Sequence, residues 1–229
     1  MHLTVLSAAE DSQQSGRALV LLGTVAESAN PAFWLAFRRW QTDYRGQHAL
    51  DNYCRDQVQA WQAQVNGKLA ADKQITAIFP DDLPPYPLVS RAAKEFAELH
   101  QSPLGMLVHE RFGLMFGIRA LLSGPSTVLG QYFEFSPVAE RQASPCDSCD
   151  GQPCLTSCPT NAWTGEGFAV DDCAAELRRQ SELSKVRPSC WQGGCLARLA
   201  CPLNGAGPYS AQQAGFHHSA FLRARGAAG

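Results

Sequence analysis

Apolar and polar positions alternate between strand-like and helix-like spacing along the first 140 residues. The run ALVLLGTVA at 18–26 is almost continuously apolar and predicts a buried strand, because a strand covered on both faces keeps no polar side. Residues 45–66 carry apolar side chains mostly three or four positions apart, which predicts an amphipathic helix. The segment QITAIFP at 74–80 predicts a short strand that stops at Pro80.

The next stretch predicts one further helix and more strands. Residues 88–100 place apolar side chains on one side of a helix. Residues 105–124 predict two strands or a hairpin that turns near 110–113, and Phe133 and Phe135 lie on one face of a further predicted strand. Together these elements predict an α/β or α+β sandwich, in which helices cover a sheet.

Cysteine content divides the chain into segments. Residues 1–140 contain one cysteine, Cys54, whereas residues 141–210 contain the other eight. This second segment is expected to form loops and short helices that depend on bound metal for their stability. Residues 211–229 are expected to form a C-terminal helix and tail. The first segment is the predicted α/β domain, which could hold a cofactor or a substrate.

Composition indicates a globular protein and argues against several classes of function. The 229 residues are 45% hydrophobic and 17% charged, with a formal net charge of −2. Nucleic-acid binding is not expected, because no basic segment is present. No apolar run approaches the roughly 18 residues of a membrane helix, and the N-terminus lacks the basic start of a secretory signal. We therefore expect a cytoplasmic protein without membrane partners, in a compartment where disulfides seldom persist.

The eight clustered cysteines form two groups that each end in Cys-Pro. The first group has the spacing C-x₂-C-x₄-C-x₃-C-P, and the second has the looser spacing C-x₁₆-C-x₄-C-x₅-C-P. Eight thiolates complete two four-sulfur shells, as two [4Fe–4S] clusters require. Structural zinc sites and disulfides are alternative interpretations, since four cysteines also suit zinc. The paired Cys-Pro endings favour clusters.

A rule from two-cluster ferredoxins predicts which cysteines act together. In those proteins the cysteine before proline in one motif ligates the other cluster. Applied to this chain, the rule predicts two crossed ligand sets. The first set is Cys146, Cys149, Cys154 and Cys201, and the second set is Cys158, Cys173, Cys190 and Cys195.

The cysteine-rich segment resembles the ferredoxin-like part of epoxyqueuosine reductase, a cobalamin-dependent iron–sulfur enzyme of tRNA modification. CPTNA at 158–162 matches the family's CPTxA, CPLN at 201–204 is close to its CPWN, and Cys173 stands where the family has a lone cysteine. GCLARLACP and FHHSAF look like shorter bacterial ferredoxin-type relatives that lack the C-terminal helical repeats. The resemblance implies an α/β domain followed by a small two-[4Fe–4S] ferredoxin-like domain, with the same crossed ligand sets.

Three functions remain open at this point. The first is an iron–sulfur redox protein that carries electrons through two [4Fe–4S] clusters to an acceptor on its N-terminal domain. Such a protein needs an electron donor, for example a flavodoxin or a ferredoxin reductase. The second is an oxidoreductase like the related enzyme, in which cobalamin is a further cofactor. The third is a zinc-stabilised binding module without a redox role.

Outside the clustered cysteines, the candidate functional residues are few. The related reductase has a proton-donor aspartate in a D-x-x-P segment, so Asp81 or Asp82 is a candidate catalytic acid, although both also suit a turn. His109 and His217 are candidate cofactor contacts, with a structural or surface role as the alternative. Cys54 lies on an apolar helical stripe and is expected to be a buried hydrophobic residue.

Overall fold

Helices and antiparallel strands make up the chain, which therefore has the α+β character that the sequence predicts. The computed structural model describes residues 1–82, 91–92, 95–135, 141–164, 167–183 and 189–225. They divide into two compact units. The first unit comprises Met1–Thr24, Asn30–Leu99 and Gly117–Gln142, and the second comprises Val25–Ala29, His100–Phe116 and Ala143–Gly229.

The strands of the described residues form one four-stranded sheet and two small sheets. They are β1 (Thr4–Glu10), β2 (Arg17–Val25), β3 (Thr76–Ile78), β4 (Leu99–Gln101), β5 (Leu107–His109), β6 (Phe116–Pro125), β7 (Trp163–Thr164) and β8 (Gly167–Phe168). The large sheet has the order β1-β2-β6-β3, and β1–β2 and β3–β6 pair antiparallel. The small sheets pair β4 with β5 and β7 with β8.

Four of the described helices have more than ten residues, two in each unit. The described helices are α1 (Pro31–Gln41), α2 (Ala49–Asn66), α3 (Ser126–Leu129), α4 (Pro153–Thr156), α5 (Val170–Glu182), α6 (Cys190–Gly193), α7 (Leu196–Leu199) and α8 (Ala211–Ala224), with a 3₁₀ turn at Ala71–Lys73. Among these helices, none has the length and apolar character that crossing a membrane requires.

Strand β2 is at the centre of the first unit's core. All its residues after Arg17 are buried, and β1 and β6 pair with its two edges. Gly23 makes this packing possible, since a Cβ at that position would lie 2.6 Å from the carbonyl oxygen of Gly117 in β6 and would also clash with Leu6 in β1. The prediction of a buried strand at 18–26 is therefore confirmed.

Aromatic side chains join α1 to α2. Helix α1 begins after Asn30, whose side chain accepts a hydrogen bond from the amide of Phe33 at 3.2 Å. The rings of Phe33 and Phe37 lie 5.6 Å and 5.5 Å from that of Tyr53 in α2. The next residue, Cys54, is buried, and burial raises the pKa of its thiol to about 12. Cys54 is therefore the buried hydrophobic residue that the sequence predicts.

Residues 25–29 pack within the second unit through hydrogen bonds to α8 and its N-cap. The amide of Glu27 donates to Gln213 Oε1 at 2.8 Å, and Gln213 Nε2 donates to the carbonyl of Val25 at 3.2 Å. Ser210, the N-cap of α8, donates to the Glu27 carboxylate at 2.7 Å. These contacts place a segment of the predicted first domain in the second unit.

Several predicted elements are present with altered bounds or pairing. The helix at 45–66 is confirmed as α2, the strand at 74–80 as β3, and the C-terminal helix as α8. Residues 105–124 contain two strands, but β5 pairs with β4, while β6 lies between β2 and β3 rather than forming a hairpin with β5. Of the helix predicted at 88–100, residues 88–90 and 93–94 lie outside the described residues; positions 91, 92 and 95 are helical, and the last two positions belong to β4.

The strand predicted around Phe133 and Phe135 is wrong. Residues 131–135 follow α3 as turn and irregular backbone. The ring of Phe133 instead packs against Trp61 of α2, with 5.6 Å between ring centroids. The alternating apolar positions thus reflect packing of a turn against a helix.

Replacing Gly23 by alanine should lower the melting temperature, because the added methyl group meets a backbone oxygen that cannot rotate away. Overpacking of this kind lowers the free energy of unfolding by about 1–3 kcal/mol. Gly215 in α8 is the matched control, since a Cβ there has no described atom outside its own helix within 4 Å. Gly215→Ala should stabilise the helix by roughly 0.5–1 kcal/mol. Thermal unfolding followed by circular dichroism measures both variants, and shifts of the same sign would contradict this explanation.

Candidate functional site

Four cysteines line one cavity in the second unit. They are Cys158, Cys173, Cys190 and Cys195, the complete second predicted ligand set. The cavity contains about 370 Å³ of empty space, part of it open to solvent. The remaining lining residues, most of them apolar, are Pro159, Thr160, Trp163, Phe168, Glu176, Leu177 and Ala197.

Short helices and a glycine turn bring these four cysteines together. Cys158 follows α4, and Cys173 lies in the first turn of α5. Cys190 begins α6, and Cys195 is the N-cap of α7. Between these last two helices, Gly194 has a φ of +93°, which glycine adopts without a steric penalty. The backbone therefore bends between Cys190 and Cys195, and both residues line the cavity.

The thiols of this set influence one another electrostatically. Burial raises the pKa of Cys173 to about 12, and Cys195, Cys190 and Cys158 contribute to the increase. Burial also raises the pKa of Cys190 to about 11, with contributions from Cys195 and Cys158. Without a cation, Cys173 and Cys190 are therefore protonated at neutral pH, so a metal centre that binds here must displace their protons.

The first predicted set comes together around Cys154. Burial raises the pKa of both Cys146 and Cys154, and Cys201 and Cys149 raise both further. The structure thus brings Cys201 close to the first cysteine group, as the crossed assignment expects. Cys154 belongs to a buried cluster with Leu104, Val108, Leu114 and Ala197. Packed against this apolar cluster are, among others, Cys146, Cys158, Cys195 and Cys201.

Metal ligation itself stays a prediction. Among the described residues, no group of three or more histidine, cysteine, aspartate or glutamate side chains is arranged to hold a metal ion. All nine cysteines are free thiols in the structure. The observed arrangement is therefore one of neighbouring thiols, one set around a cavity and the other beside a buried apolar cluster.

Amide and hydroxyl groups lie close to the sulfur atoms of the second set. The amide of Ala162 donates to Cys158 Sγ at 3.3 Å, and the hydroxyl of Thr160 lies 3.5 Å from the same atom. The amide of Leu196 donates to Cys190 Sγ at 3.5 Å. Such bonds stabilise a thiolate and, in iron–sulfur proteins, help to set the reduction potential.

Arg198 fixes the helix that separates Cys195 from Cys201. Its Nε donates to the carbonyl of Leu114 at 2.7 Å, and its Nη2 donates to the carbonyl of Phe116 at 3.0 Å. Leu114 lies in the turn before β6, and Phe116 is the first residue of β6. The planar guanidinium therefore joins α7 to the start of β6 through two bonds that a lysine cannot both replace.

Two glycines allow the backbone after Cys201 to pack closely against the loop before β6. A Cβ on Gly113, where φ is +56°, would lie 2.9 Å from the amide nitrogen of Asn204. A Cβ on Gly205 would lie 2.5 Å from the carbonyl oxygen of Arg111. The position of the last cysteine thus depends on backbone contact at two sites.

The two candidate aspartates lie in the first unit, in the turn after β3. Asp81 and Asp82 both pair with Arg55, at 2.5 Å and 3.1 Å. Asp82 also accepts a hydrogen bond from the amide of Phe79 at 2.7 Å. The side chains of Asp81 and Asp82 are 61% and 36% exposed. The structure gives both a role in the turn, and a catalytic role for either stays a prediction.

The two candidate histidines have aromatic neighbours in the second unit. His109 is buried, its Nδ1 accepts from the amide of Arg111 at 2.9 Å, and its ring centroid lies 4.8 Å from that of Phe112. His217 in α8 lies beside Tyr209, with 5.1 Å between ring centroids. These contacts give His109 a structural role in its loop, and cofactor binding by either residue stays a prediction.

Two cavity residues were missed by the sequence analysis. Glu176 lies three positions after Cys173 on α5, and that spacing, which puts both on one helix face, was the available signal. Phe168 reaches the cavity through the β7–β8 pair and stacks on Trp163 with 4.2 Å between ring centroids. Strands β7 and β8 have two residues each, which is too short to leave a recognisable strand pattern in the sequence.

Replacing Arg198 by lysine should lower the melting temperature even in the metal-free protein. Lysine keeps the charge but leaves at least one of the two buried carbonyl groups with a poorer partner. The free energy of unfolding should therefore decrease by about 1–3 kcal/mol. Arg178→Lys is the matched control, because Arg178 is exposed on α5. Thermal unfolding measured in the presence of a chelator tests this, and equal melting temperatures for the two variants would refute the anchoring role.

A site is therefore indicated by the arrangement of the residues themselves. Cysteines distant in sequence meet at one cavity and around one apolar cluster, and an arginine and two glycines fix the segments that carry them. Comparison with protein-family models, curated proteins and solved structures found no match for this chain.

Proposed function

We propose that this protein is an iron–sulfur redox protein that carries electrons through two [4Fe–4S] clusters from an external donor to an acceptor. The observation that carries the proposal is the cavity lined by Cys158, Cys173, Cys190 and Cys195. Four cysteine thiolates are the ligands that such a cluster requires, and each cluster supplies one-electron chemistry. Cys146, Cys149, Cys154 and Cys201 would hold the other cluster.

The walls of the cavity suit a redox centre. The cavity has apolar and aromatic walls beyond the cysteines, including the stacked Trp163 and Phe168. Such walls limit the access of water, which is one of the features that set a cluster's potential.

The shared apolar cluster supports electron transfer between the two centres. Side chains of both ligand sets pack against the buried cluster that includes Val108, Leu114 and Ala197. Two centres held on one apolar cluster would be close neighbours with little water between them. On this proposal, the second unit contains a small two-cluster ferredoxin-like domain, and a flavodoxin or a ferredoxin reductase is a suitable class of donor.

Protein purified without oxygen should contain about eight irons and about eight sulfides per chain. Its broad visible absorption should decrease on addition of dithionite, because reduced clusters absorb less. Cys54→Ala is the control, since this buried thiol lies in the first unit and should be dispensable for iron. Iron, sulfide and zinc analyses provide the measurement. Colourless protein with stoichiometric zinc would refute the redox function.

Pairs of alanine substitutions should reveal which cysteines share a cluster. Under the crossed assignment, Cys146→Ala with Cys201→Ala affects one cluster, so about four irons should remain. Cys146→Ala with Cys158→Ala affects both clusters, so almost no iron should remain. The two double variants remove equal numbers of thiols and therefore control for each other. The reverse outcome would show that each contiguous group of four holds its own cluster.

A further inference from the structure

One acidic side chain lies among the described residues that line the cavity of the second cysteine set. Glu176 is on the same face of α5 as Cys173. Its side chain is only 14% exposed. A carboxylate in this position therefore acts on the cavity through little intervening water, where charge interactions are stronger than at the surface.

Three donors hold this carboxylate in place. Arg179 Nε donates to Glu176 Oε2 at 2.8 Å, and Arg179 Nη2 donates to Oε1 at 2.6 Å. Gln180 Nε2 donates to Oε1 at 2.7 Å. The hydrogen bonds from Arg179 and Gln180 hold the pKa of Glu176 below its usual range, so the group carries a negative charge at neutral pH.

The same network reaches the turn that carries Cys190. Gln180 is buried, and its Oε1 accepts from the hydroxyl of Ser189 at 2.9 Å and from the amide of Trp191 at 3.2 Å. These two residues flank Cys190 on either side. The carboxylate of Glu176 and the backbone around one ligand are therefore fixed relative to each other.

The positive partner of Glu176 compensates its charge only in part. The side chain of Arg179 is 54% exposed, whereas that of Glu176 is 14% exposed. Water and salt screen an exposed charge more strongly than a mostly buried one. The cavity therefore experiences a net negative charge from this pair, reduced but not cancelled by the guanidinium.

We propose that Glu176 lowers the reduction potential of the cluster held by Cys158, Cys173, Cys190 and Cys195, and that Arg179 limits this effect. The inference rests on the proposed function, because it presupposes a cluster in the cavity. Reduction by an external donor adds one electron, and hence one negative charge, without forming or breaking a covalent bond. A fixed carboxylate nearby opposes that added charge, so reduction becomes less favourable.

Redox titration of oxygen-free protein, followed by EPR, tests the proposal. Glu176→Gln keeps an acceptor for Arg179 and removes the charge, so reduction of one of the two clusters should become about tenfold more favourable, which is about 59 mV for one electron. Arg179→Gln leaves the carboxylate uncompensated, so the same cluster should become harder to reduce. Glu182→Gln is the control, because Glu182 is exposed at the end of the same helix.

The outcomes separate the tuning role from the function on which it rests. Wild-type protein without iron would refute the proposed function itself. Full iron content with an unchanged potential in Glu176→Gln would overturn the tuning role alone. Shifts of the same sign in Glu176→Gln and Arg179→Gln would indicate a structural disturbance and would also overturn it. If Glu176→Gln fails to bind iron, the Arg179→Gln variant tests the proposal instead. An unchanged or higher reduction potential in Arg179→Gln would contradict the proposal.

Discussion

Negative charge cannot accumulate among the buried cysteines of the second unit without a cation to balance it. Burial and mutual repulsion raise the pKa of Cys173 to about 12, so in the free protein this thiol keeps its proton. A bound metal centre exchanges that proton for its own positive charge. Binding and folding are coupled in such sites, because the ligands are brought together only in the folded chain. Thiolates that are paired with such a positive charge are compatible with the apolar wall around them.

The secondary structure around the cysteines is too short to be stable by itself. Helices α4, α6 and α7 have four residues each, far fewer than an isolated helix needs in water. Their order therefore depends on tertiary contacts, of which the bonds from Arg198 to two backbone carbonyls are the best defined. Cys154 and Ala197 join α4 and α7 within one buried cluster. The cysteine-bearing segments are thus ordered by their surroundings rather than by their own helical propensity.

Local sequence patterns predict local elements. Most differences between the predicted and the observed structure involve contacts between residues that are distant in sequence. The burial of β2 and the stripe on α2 follow from runs of neighbouring residues, so both are predictable. The pairing of β6 is not, because its partners β2 and β3 lie far earlier in the chain. Phe133 packs against Trp61 across a similar separation, and two alternating aromatic residues imitate a strand. Similarly, residues 25–29 pack against α8 through Gln213. No sequence pattern near either segment predicts this contact.

The close backbone contact at Gly113 and Gly205 limits how this sequence can vary. Neither position has room for even a methyl group, and the obstructing atoms belong to the main chain of Asn204 and Arg111. A mutation at either glycine is therefore harmful whatever side chain it introduces, and no single change in the opposing residues restores the space. Descendants of this chain that preserve the contact must inherit both glycines together.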